Sequence, residues 1–187
     1  MEKKIYLTST DEDTRNLASK LTSQLVGGDV VLLFGPMGAG KTTFTQGIAA
    51  SLGISRLTSP TYVILNQYDI NQSSSRGGIS DVAIQSPPFP LYKGEFQGGI
   101  SGLPRPRLEV GTRNDKQNIK ILNHFDLYRL ESEDQLKSVN FEETISDPES
   151  LSIVEWPEKL SKLPSSYYRI DIESLSVNQR QITLQKI

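Results

Sequence analysis

The segment Gly35–Thr42, with the sequence GPMGAGKT, constrains the fold most strongly because it matches the phosphate-binding loop pattern G-x-x-x-x-G-K-T. The apolar, β-branched run Val30–Phe34 precedes it and predicts a buried strand. The residues Thr43–Leu52 that follow predict a helix, which Gly53 would end. A phosphate-binding loop joins a strand to a helix, so the context favours this interpretation over an accidental glycine-rich turn.

The residue types in this loop explain the expected chemistry. Gly35, Gly38 and Gly40 allow the backbone to turn sharply and to point its N–H groups toward a phosphate at the helix N-terminus. Lys41 adds a mobile positive charge for the phosphate oxygens, and the Thr42 hydroxyl is placed to ligate Mg²⁺. The sequence therefore predicts a site for a nucleoside triphosphate and Mg²⁺.

Length and charge limit the remaining possibilities. A chain of 187 residues is typical of one domain with a sizeable core. Its net charge of −2 excludes the global basic field that dominates nucleic-acid binding, so any RNA contact must be local or made through a partner.

The cysteine count and the apolar runs bear on the compartment. The chain has no cysteine, which excludes disulfides, thiolate metal sites and a cysteine nucleophile, and which suits a reducing cytosol. We expect no signal peptide, since no apolar segment follows Met1–Tyr6, and no run approaches membrane-spanning length. The expected location is cytoplasmic, without membrane association.

Patterns on both sides of the loop predict further strands and helices. Before the loop, Ile5–Leu7 predicts a strand, and Ser9 with Glu12 fits a capping box for a helix whose apolar face carries Leu17, Ala18, Leu21 and Leu25. After it, strands are expected at about Val63–Tyr68, at Ile119–Asp126 and at Leu151–Val154, and a polar helix is expected from about Ser132. Alternating apolar residues near the end predict two strands, plausible as a hairpin about Val177–Arg180: Tyr168, Ile170, Ile172, Ile182 and Leu184.

Residues 71–118 differ from the rest of the chain. They hold seven of its 14 glycines and five of its ten prolines, and they show neither helical nor strand periodicity. We interpret this segment as a low-complexity, disordered insert within the single domain. The alternative is a recognition arm that uses Arg105, Arg107 and Arg113, but the charges of the segment are mixed.

The segment Ser59–Tyr62, with the sequence SPTY, has two interpretations. Pro60 biases the preceding residue toward an extended conformation, which is typical of an ordinary loop that leads into a strand. Alternatively, its hydroxyl groups lie beside the γ-phosphate and respond to the state of the nucleotide.

Two carboxylates stand at predicted strand ends, where ligands bind in open α/β sheets. A phosphate-binding loop needs a second Mg²⁺ anchor and a group that positions the attacking water, and Asp126 and Glu155 are the candidates. Otherwise these carboxylates cap a loop or pair with Arg129. His124, the only histidine, lies on the same side of its strand as Asp126 and would support it. Trp156, the only tryptophan, would usually belong to the core, but its place beside Glu155 also allows it to pack near the nucleotide.

Four motifs occur in a fixed order: GPMGAGKTT at 35–43, SPTY at 59–62, HFDLYRL at 124–130 and VEWP at 154–157. Together they resemble the TsaE (YjeE) family of bacterial P-loop ATPases over about 5–69 and 119–187. The resemblance implies a single α/β domain of the P-loop NTPase type, with three layers, a central mostly parallel sheet and a C-terminal β-hairpin. It also implies a role in making threonylcarbamoyladenosine on tRNA.

The resemblance further implies an ATPase that needs Mg²⁺, is weak alone, and acts on a complex of the TsaD transferase with the TsaB scaffold, meeting tRNA only indirectly. Its Mg²⁺ ligands would be Thr42 and Glu155, and its catalytic residues Lys41, Asp126 and Glu155. The implied nucleotide-binding residues are Gly35, Gly38, Ala39, Gly40, Lys41, Thr42 and Thr43, together with Asp11 and Arg180 near the base.

This chain departs from the family pattern in the 71–118 insert and in Asn140, which stands where a glycine is usual. Asparagine tolerates a left-handed turn, so little damage is expected. Two other functions remain open on the same scaffold, a small-molecule kinase and a nucleotide-binding regulator without turnover. A GTPase is disfavoured because no guanine-specific N-K-x-D motif follows the loop.

Overall fold

The computed structural model describes residues 3–58, 64–70 and 117–187. Within them, helices and strands alternate in the manner of an α/β fold. The strands are β1 (Lys4–Thr8), β2 (Val30–Phe34), β3 (Leu65–Asp69), β4 (Ile121–Asp126), β5 (Ser150–Glu155), β6 (Tyr168–Ser174) and β7 (Arg180–Lys186). The helices are α1 (Asp11–Thr22), α2 (Lys41–Ser51), α3 (Asp134–Ser138) and α4 (Phe141–Ser146), with a 3₁₀ turn at Pro157–Lys159.

The seven strands form one sheet in the order β1-β7-β6-β2-β5-β4-β3. The four central strands β6, β2, β5 and β4 are parallel to one another. The strands at both edges are antiparallel to their neighbours, so the sheet is mixed. The predicted α/β class is confirmed, with β2 in the middle of the sheet, and the predicted C-terminal hairpin is formed by β6 and β7.

Side chains of β2 alternate between two cores, which makes the domain three layers deep. Val31 and Leu33 belong to the core beneath α1 and α2. Val30 and Leu32 face the opposite core, which contains Phe141 of α4. A strand that is apolar on both faces must lie in the interior of such a sandwich. The strand that carries the phosphate-binding loop is therefore held from both sides.

Helix α1 begins one residue later than the capping box of Ser9 and Glu12 predicted. Thr10 is the N-cap, and its side chain accepts a hydrogen bond from the backbone N–H of Asp13. The Asp13 carboxylate in turn accepts from the N–H of Ser9 at 3.0 Å, which lowers the pKa of Asp13 below its usual value. The Ser9–Glu12 prediction was wrong because the reciprocal pair uses the next threonine and an aspartate.

Asn140 adopts the left-handed conformation expected of it, with φ of 47°, directly before α4. Strand β4 and helix α3 each begin two residues later than the sequence predicted. Of the predicted insert, residues 71–116 lie outside the described residues. Its last two residues, Gln117 and Asn118, belong to the fold, and the Gln117 side chain donates to the carbonyl of Thr22 in α1.

None of the helices in the described part of the chain is both long enough and apolar enough to cross a membrane.

Helices α1 and α2 cross at Gly47, which has no room for a side chain. A Cβ atom added at this position would lie 2.5 Å from the Arg15 carbonyl oxygen and 2.8 Å from the Ala18 Cβ. The close approach brings the apolar face of α1 onto α2, and it holds the helix that follows the phosphate-binding loop against the sheet.

We therefore predict that Gly47→Ala destabilises the protein. In an ordinary helix this change is stabilising by about 1 kcal/mol. Here the overpacking against α1 outweighs that gain and leaves a net loss of roughly 1–2 kcal/mol. Urea denaturation measures the loss, and Ala50→Gly at an exposed site of the same helix gives the scale of the helix-propensity effect. An unchanged or raised free energy of unfolding in Gly47→Ala would contradict this packing.

Candidate functional site

The phosphate-binding loop connects the end of β2 to the start of α2, as its sequence predicted. Gly35, Gly38 and Gly40 all have positive φ angles. Gly40 is the residue before α2 and has a φ of 110°, which a residue with a Cβ rarely adopts. At Gly35 a Cβ would lie 2.4 Å from the carbonyl oxygen of Ile172 in β6. The loop conformation therefore requires glycine at these positions.

Strand register brings both predicted carboxylates beside this loop. Glu155, the last residue of β5, pairs with Leu33 of β2 on one side and with Asp126 of β4 on the other. These are parallel strands, so their carboxyl ends meet at one edge of the sheet. The loop, Glu155 and Asp126 are consequently neighbours in space, although Asp126 and Glu155 lie 84 and 113 residues after Thr42 in the chain.

Glu155 is the most strongly held side chain of the site. It is only 2% exposed. Its Oε2 atom accepts from the Thr42 hydroxyl at 3.1 Å, and its Oε1 atom lies 3.2 Å from the Thr45 hydroxyl and 2.9 Å from Nε2 of His124. A buried carboxylate needs such partners because its desolvation is otherwise costly. The structure thus brings Thr42 and Glu155 together, and their role as Mg²⁺ ligands stays a prediction.

His124 was predicted to support Asp126, but the hydrogen bond of its ring goes to Glu155. Asp126 and Glu155 both lie on the face of the sheet toward which His124 points. Asp126 is two residues after His124 on the same strand, and Glu155 pairs with Asp126 on the next strand. The side chain of His124 is fully buried. Spacing along one strand located the histidine correctly but could not identify its partner on the neighbouring strand.

The Lys41 side chain folds back over the loop. Its ammonium nitrogen donates to the carbonyl oxygens of Gly35 at 2.7 Å and Pro36 at 2.9 Å. The same nitrogen lies 3.6 Å from the centre of the Trp156 ring, a cation–π contact. Lys41 is 5% exposed, and this burial lowers the pKa of its ammonium below the usual value.

Three carboxylates oppose that lowering of the Lys41 pKa, namely Glu155, Glu158 and Asp126. Their negative charges favour the protonated lysine, although burial prevails. The loop thus lies in a cluster in which one buried cation is surrounded by acidic groups. Glu158, in the turn after β5, belongs to this cluster and was not predicted from the sequence.

Trp156 directly follows Glu155 and has a left-handed backbone, with φ of 61°. Such a conformation is uncommon for a bulky residue and is held only where the surroundings impose it. The following Pro157 begins a 3₁₀ turn, and the indole ring lies 5.0 Å from the Tyr128 ring. The turn places the ring over Lys41 of the loop, and the contact of Trp156 with a nucleotide stays a prediction.

Asp126 ends β4 and is half-buried. Its Oδ1 atom accepts from the backbone N–H of Tyr128 at 3.1 Å, so it caps the turn that follows the strand. It also acts on Lys41 through its charge, as noted above. Capping is the alternative that the sequence had left open for this residue. It does not exclude the catalytic role, which stays a prediction.

Arg180 reaches the loop from the C-terminal hairpin. Its Nε atom donates to the carbonyl oxygen of Ala39 at 3.0 Å. Another guanidinium nitrogen donates to the carbonyls of Ser176 and Val177 in the turn between β6 and β7. The arginine therefore ties that turn to the phosphate-binding loop, and its predicted contact with a nucleotide stays a prediction.

Asp11 is exposed at the start of α1. Thr8, three residues earlier, pairs with Arg180 across β1 and β7, so this end of α1 begins near the loop. Thr43 lies half-buried in the first turn of α2. The contacts of Asp11 and Thr43 with a nucleotide are likewise predictions, and the segment Ser59–Tyr62 lies outside the described residues.

The oxygen atoms at the site suit a magnesium ion. The described ranges contain no group of three or more histidine, cysteine, aspartate or glutamate side chains that could hold a metal by themselves. Mg²⁺ is commonly held by one or two protein oxygens together with phosphate and water, so the pair formed by Thr42 and Glu155 fits it.

Sequence reasoning missed Thr45, whose hydroxyl lies close to Glu155 and is also 3.1 Å from the carbonyl oxygen of Lys41. The available signal was its spacing of three residues from Thr42, since both hydroxyls then lie on one face of α2. A helix that begins at the loop presents that face to the end of β5.

Comparison with known sequences agrees with the motif order. The sequence model of the family "Threonylcarbamoyl adenosine biosynthesis protein TsaE" matches residues 8–82 and 111–182, which is more than half of the chain. The chain belongs to the TsaE family. The gap in this match falls within the predicted insert. TsaE proteins are described as tRNA threonylcarbamoyladenosine biosynthesis proteins, and this involvement extends to the present member.

Individual relatives cover most of the chain. TsaE of Nostoc sp. is 31% identical over 89% of this chain and 75% of its own length. TsaE of Bacillus subtilis is 27% identical over 97% of this chain and 85% of its own length. The crystal structure of YdiB from Bacillus subtilis superposes with a TM-score of 0.59 at 23% identity, over 98% of this chain and 84% of that one, and supports the fold.

The buried lysine makes a prediction about stability and pH. The folded-state pKa of Lys41 lies below that of the unfolded chain, so between these two values the unfolded state binds more protons. The contribution of Lys41 to the free energy of unfolding therefore rises as the pH rises through that interval toward 10.5. Urea denaturation of the wild type and of Lys41→Met at pH 7 and pH 10 measures this contribution of Lys41 to the free energy of unfolding.

We expect the wild type to gain stability relative to Lys41→Met at the higher pH. Groups other than Lys41 titrate in both proteins and cancel in the difference. A constant difference, or one that moves in favour of the variant, would contradict the lowered pKa.

Proposed function

We propose that this TsaE family member is an Mg²⁺-dependent ATP hydrolase that serves threonylcarbamoyladenosine synthesis on tRNA by acting on a TsaB–TsaD complex. The observation that carries the proposal is the hydrogen bond between Thr42 and Glu155, which joins the phosphate-binding loop to the end of a neighbouring strand. Beside it lies the buried ammonium of Lys41.

The loop fits the triphosphate of ATP in shape and charge. The glycines with positive φ, Gly35, Gly38 and Gly40, form the turn that leads into the N-terminus of α2, where backbone N–H groups favour an anion. Lys41 supplies a positive charge that is already desolvated, so its interaction with phosphate oxygens is stronger than in water. Binding the nucleotide requires its ammonium to exchange the carbonyls of Gly35 and Pro36 for those oxygens.

Thr42 and Glu155 would hold the metal ion. Their oxygens lie 3.1 Å apart at the mouth of the loop, and both are ligands that Mg²⁺ accepts. When bound, Mg²⁺ neutralises charge on the phosphate oxygens. His124 and Thr45 keep Glu155 in place from the interior side.

Asp126 would orient the attacking water. It ends the strand beside Glu155, and the backbone N–H of Tyr128 fixes one of its oxygens. Phosphoryl transfer relies mostly on positioning and electrostatic stabilisation, which this arrangement of Lys41, Glu155 and Asp126 can supply. The absence of an N-K-x-D motif from the sequence favours adenine over guanine.

A partner protein, and not tRNA itself, is the expected target of the ATP cycle. The net charge of −2 provides no general attraction to RNA phosphates. The relatives are tRNA threonylcarbamoyladenosine biosynthesis proteins, so a protein complex that handles the tRNA would agree with both the low charge and this role. TsaB and TsaD are the proposed partners, on the basis of the family resemblance.

The hydrolase is tested by free phosphate release from ATP. Lys41→Ala and Asp126→Ala should each reduce the rate by roughly 100-fold or more, since each removes a charge that acts on the reacting phosphate or water. Lys137→Ala and Asp134→Ala are matched controls, because these two residues form an exposed ion pair on α3. They should retain the wild-type rate.

Other outcomes separate the alternative functions. ATP consumption without free phosphate would indicate a small-molecule kinase. Nucleotide binding without turnover, with or without partners, would indicate a regulator.

The partner is tested by adding the cognate TsaB–TsaD pair to the same assay. We expect a marked rise in phosphate release from the wild type and none from Lys41→Ala. If the TsaB–TsaD pair does not change the rate of ATP hydrolysis, the protein is an ATPase that acts on a different complex.

A further inference from the structure

The two oxygens of the Glu155 carboxylate have different surroundings. Oε1 faces the interior, within hydrogen-bond distance of His124 and Thr45, which are both fully buried. Oε2 faces the phosphate-binding loop and accepts from Thr42, which is only half-buried. One oxygen is therefore held by the core of the protein, and the other is directed to the site.

His124 is the dedicated donor to the inner oxygen. A carboxylate accepts hydrogen bonds, so the ring nitrogen Nε2 carries the proton. Thr45 has one hydroxyl hydrogen and two acceptors in reach, the Lys41 carbonyl at 3.1 Å and Glu155 at 3.2 Å. Its bond to Glu155 is consequently shared, whereas the N–H of His124 donates to the carboxylate at 2.9 Å.

Packing does not explain a histidine at this position. Its other ring nitrogen, Nδ1, is buried and has no hydrogen-bond partner among the described residues. An unpaired buried nitrogen is unfavourable, and an aliphatic side chain would fill the same space without it. The gain that offsets this cost lies at Nε2, in the bond to Glu155.

We infer that His124 is a positioning residue, which holds Oε1 of Glu155 against the core. Oε2, beside Thr42, is then the single carboxylate oxygen available to a divalent cation that binds with a nucleoside triphosphate. The inference rests on the proposed function. In this inference His124 affects the binding of the cation and not the position of the water beside Asp126. Loss of the hydrogen bond between His124 and Glu155 lets the carboxylate rotate. The affinity for the cation then falls, whereas the phosphate-binding loop is unchanged.

Two amide substitutions test this geometry. The side chain of His124→Gln can place an N–H where Nε2 lies, whereas His124→Asn is one bond shorter and places it near the Nδ1 position. Calorimetric titration with the non-hydrolysable analogue AMP-PNP, at several Mg²⁺ concentrations and in EDTA, separates cation affinity from nucleotide affinity. Denaturation of each variant checks that it is folded.

We expect His124→Asn to raise the Mg²⁺ concentration for half-maximal AMP-PNP binding by about 10- to 100-fold, the usual effect of losing a group that orients a metal ligand. His124→Gln should bring this Mg²⁺ concentration most of the way back to the wild-type value. The affinity for AMP-PNP in EDTA should be the same in all three proteins. A purely structural role would weaken binding equally with and without Mg²⁺. If His124→Asn does not fold, His124→Leu, which likewise has no donor at the Nε2 position, makes the same comparison with His124→Gln.

The outcomes separate this inference from the proposed function. If the wild type binds AMP-PNP with no dependence on Mg²⁺, the proposed cation site fails and the role of His124 fails with it. If the wild type depends on Mg²⁺ and the variant without a donor at the Nε2 position shows the same dependence, only the role of His124 is overturned.

Discussion

The site depends on one buried carboxylate, Glu155, which connects three parts of the fold. Its partners are Thr42 and Thr45 on the helix after the phosphate-binding loop and His124 on the adjacent strand. A carboxylate at this depth would be strongly unfavourable without donors, and removing one partner of such a group typically costs several kcal/mol. The position of α2 relative to the strand ends is therefore fixed by the same bonds that orient the proposed cation ligand. The packing of α2 and the proposed cation site therefore depend on the same set of hydrogen bonds.

Unfavourable features concentrate around the same carboxylate. Lys41 is a buried cation with a lowered pKa, Trp156 has a left-handed backbone, and His124 keeps an unpaired ring nitrogen. Each is destabilising by itself, and each lies within the cluster about Glu155. Strain and buried charge are usually retained where a site must be arranged before its ligand arrives. The apolar cores on both faces of β2 provide the stability that this arrangement requires.

The sequence predicted the fold well and named residues that the fold brings together, because both follow from local patterns. The motif at Gly35–Thr42, the apolar strands and the strand-end carboxylates identified α/β topology and placed Glu155 beside the loop. What it could not supply were contacts between distant elements. His124 was assigned to the carboxylate on its own strand, whereas its ring bonds to the one on the next strand, and Thr45 was not noticed. Such partners depend on strand register and helix rotation, which no single segment encodes.

Thr42 and Glu155 are proposed to act as one unit in binding nucleotide with Mg²⁺. A double-mutant cycle tests this proposal, with Thr42→Val, Glu155→Gln and the double variant compared by AMP-PNP binding in saturating Mg²⁺. We predict strong non-additivity, with a coupling free energy of about 1–3 kcal/mol, since the first change removes most of what the second would remove. Losses that add to within about 0.5 kcal/mol would contradict it, because they would show that the two residues bind independently.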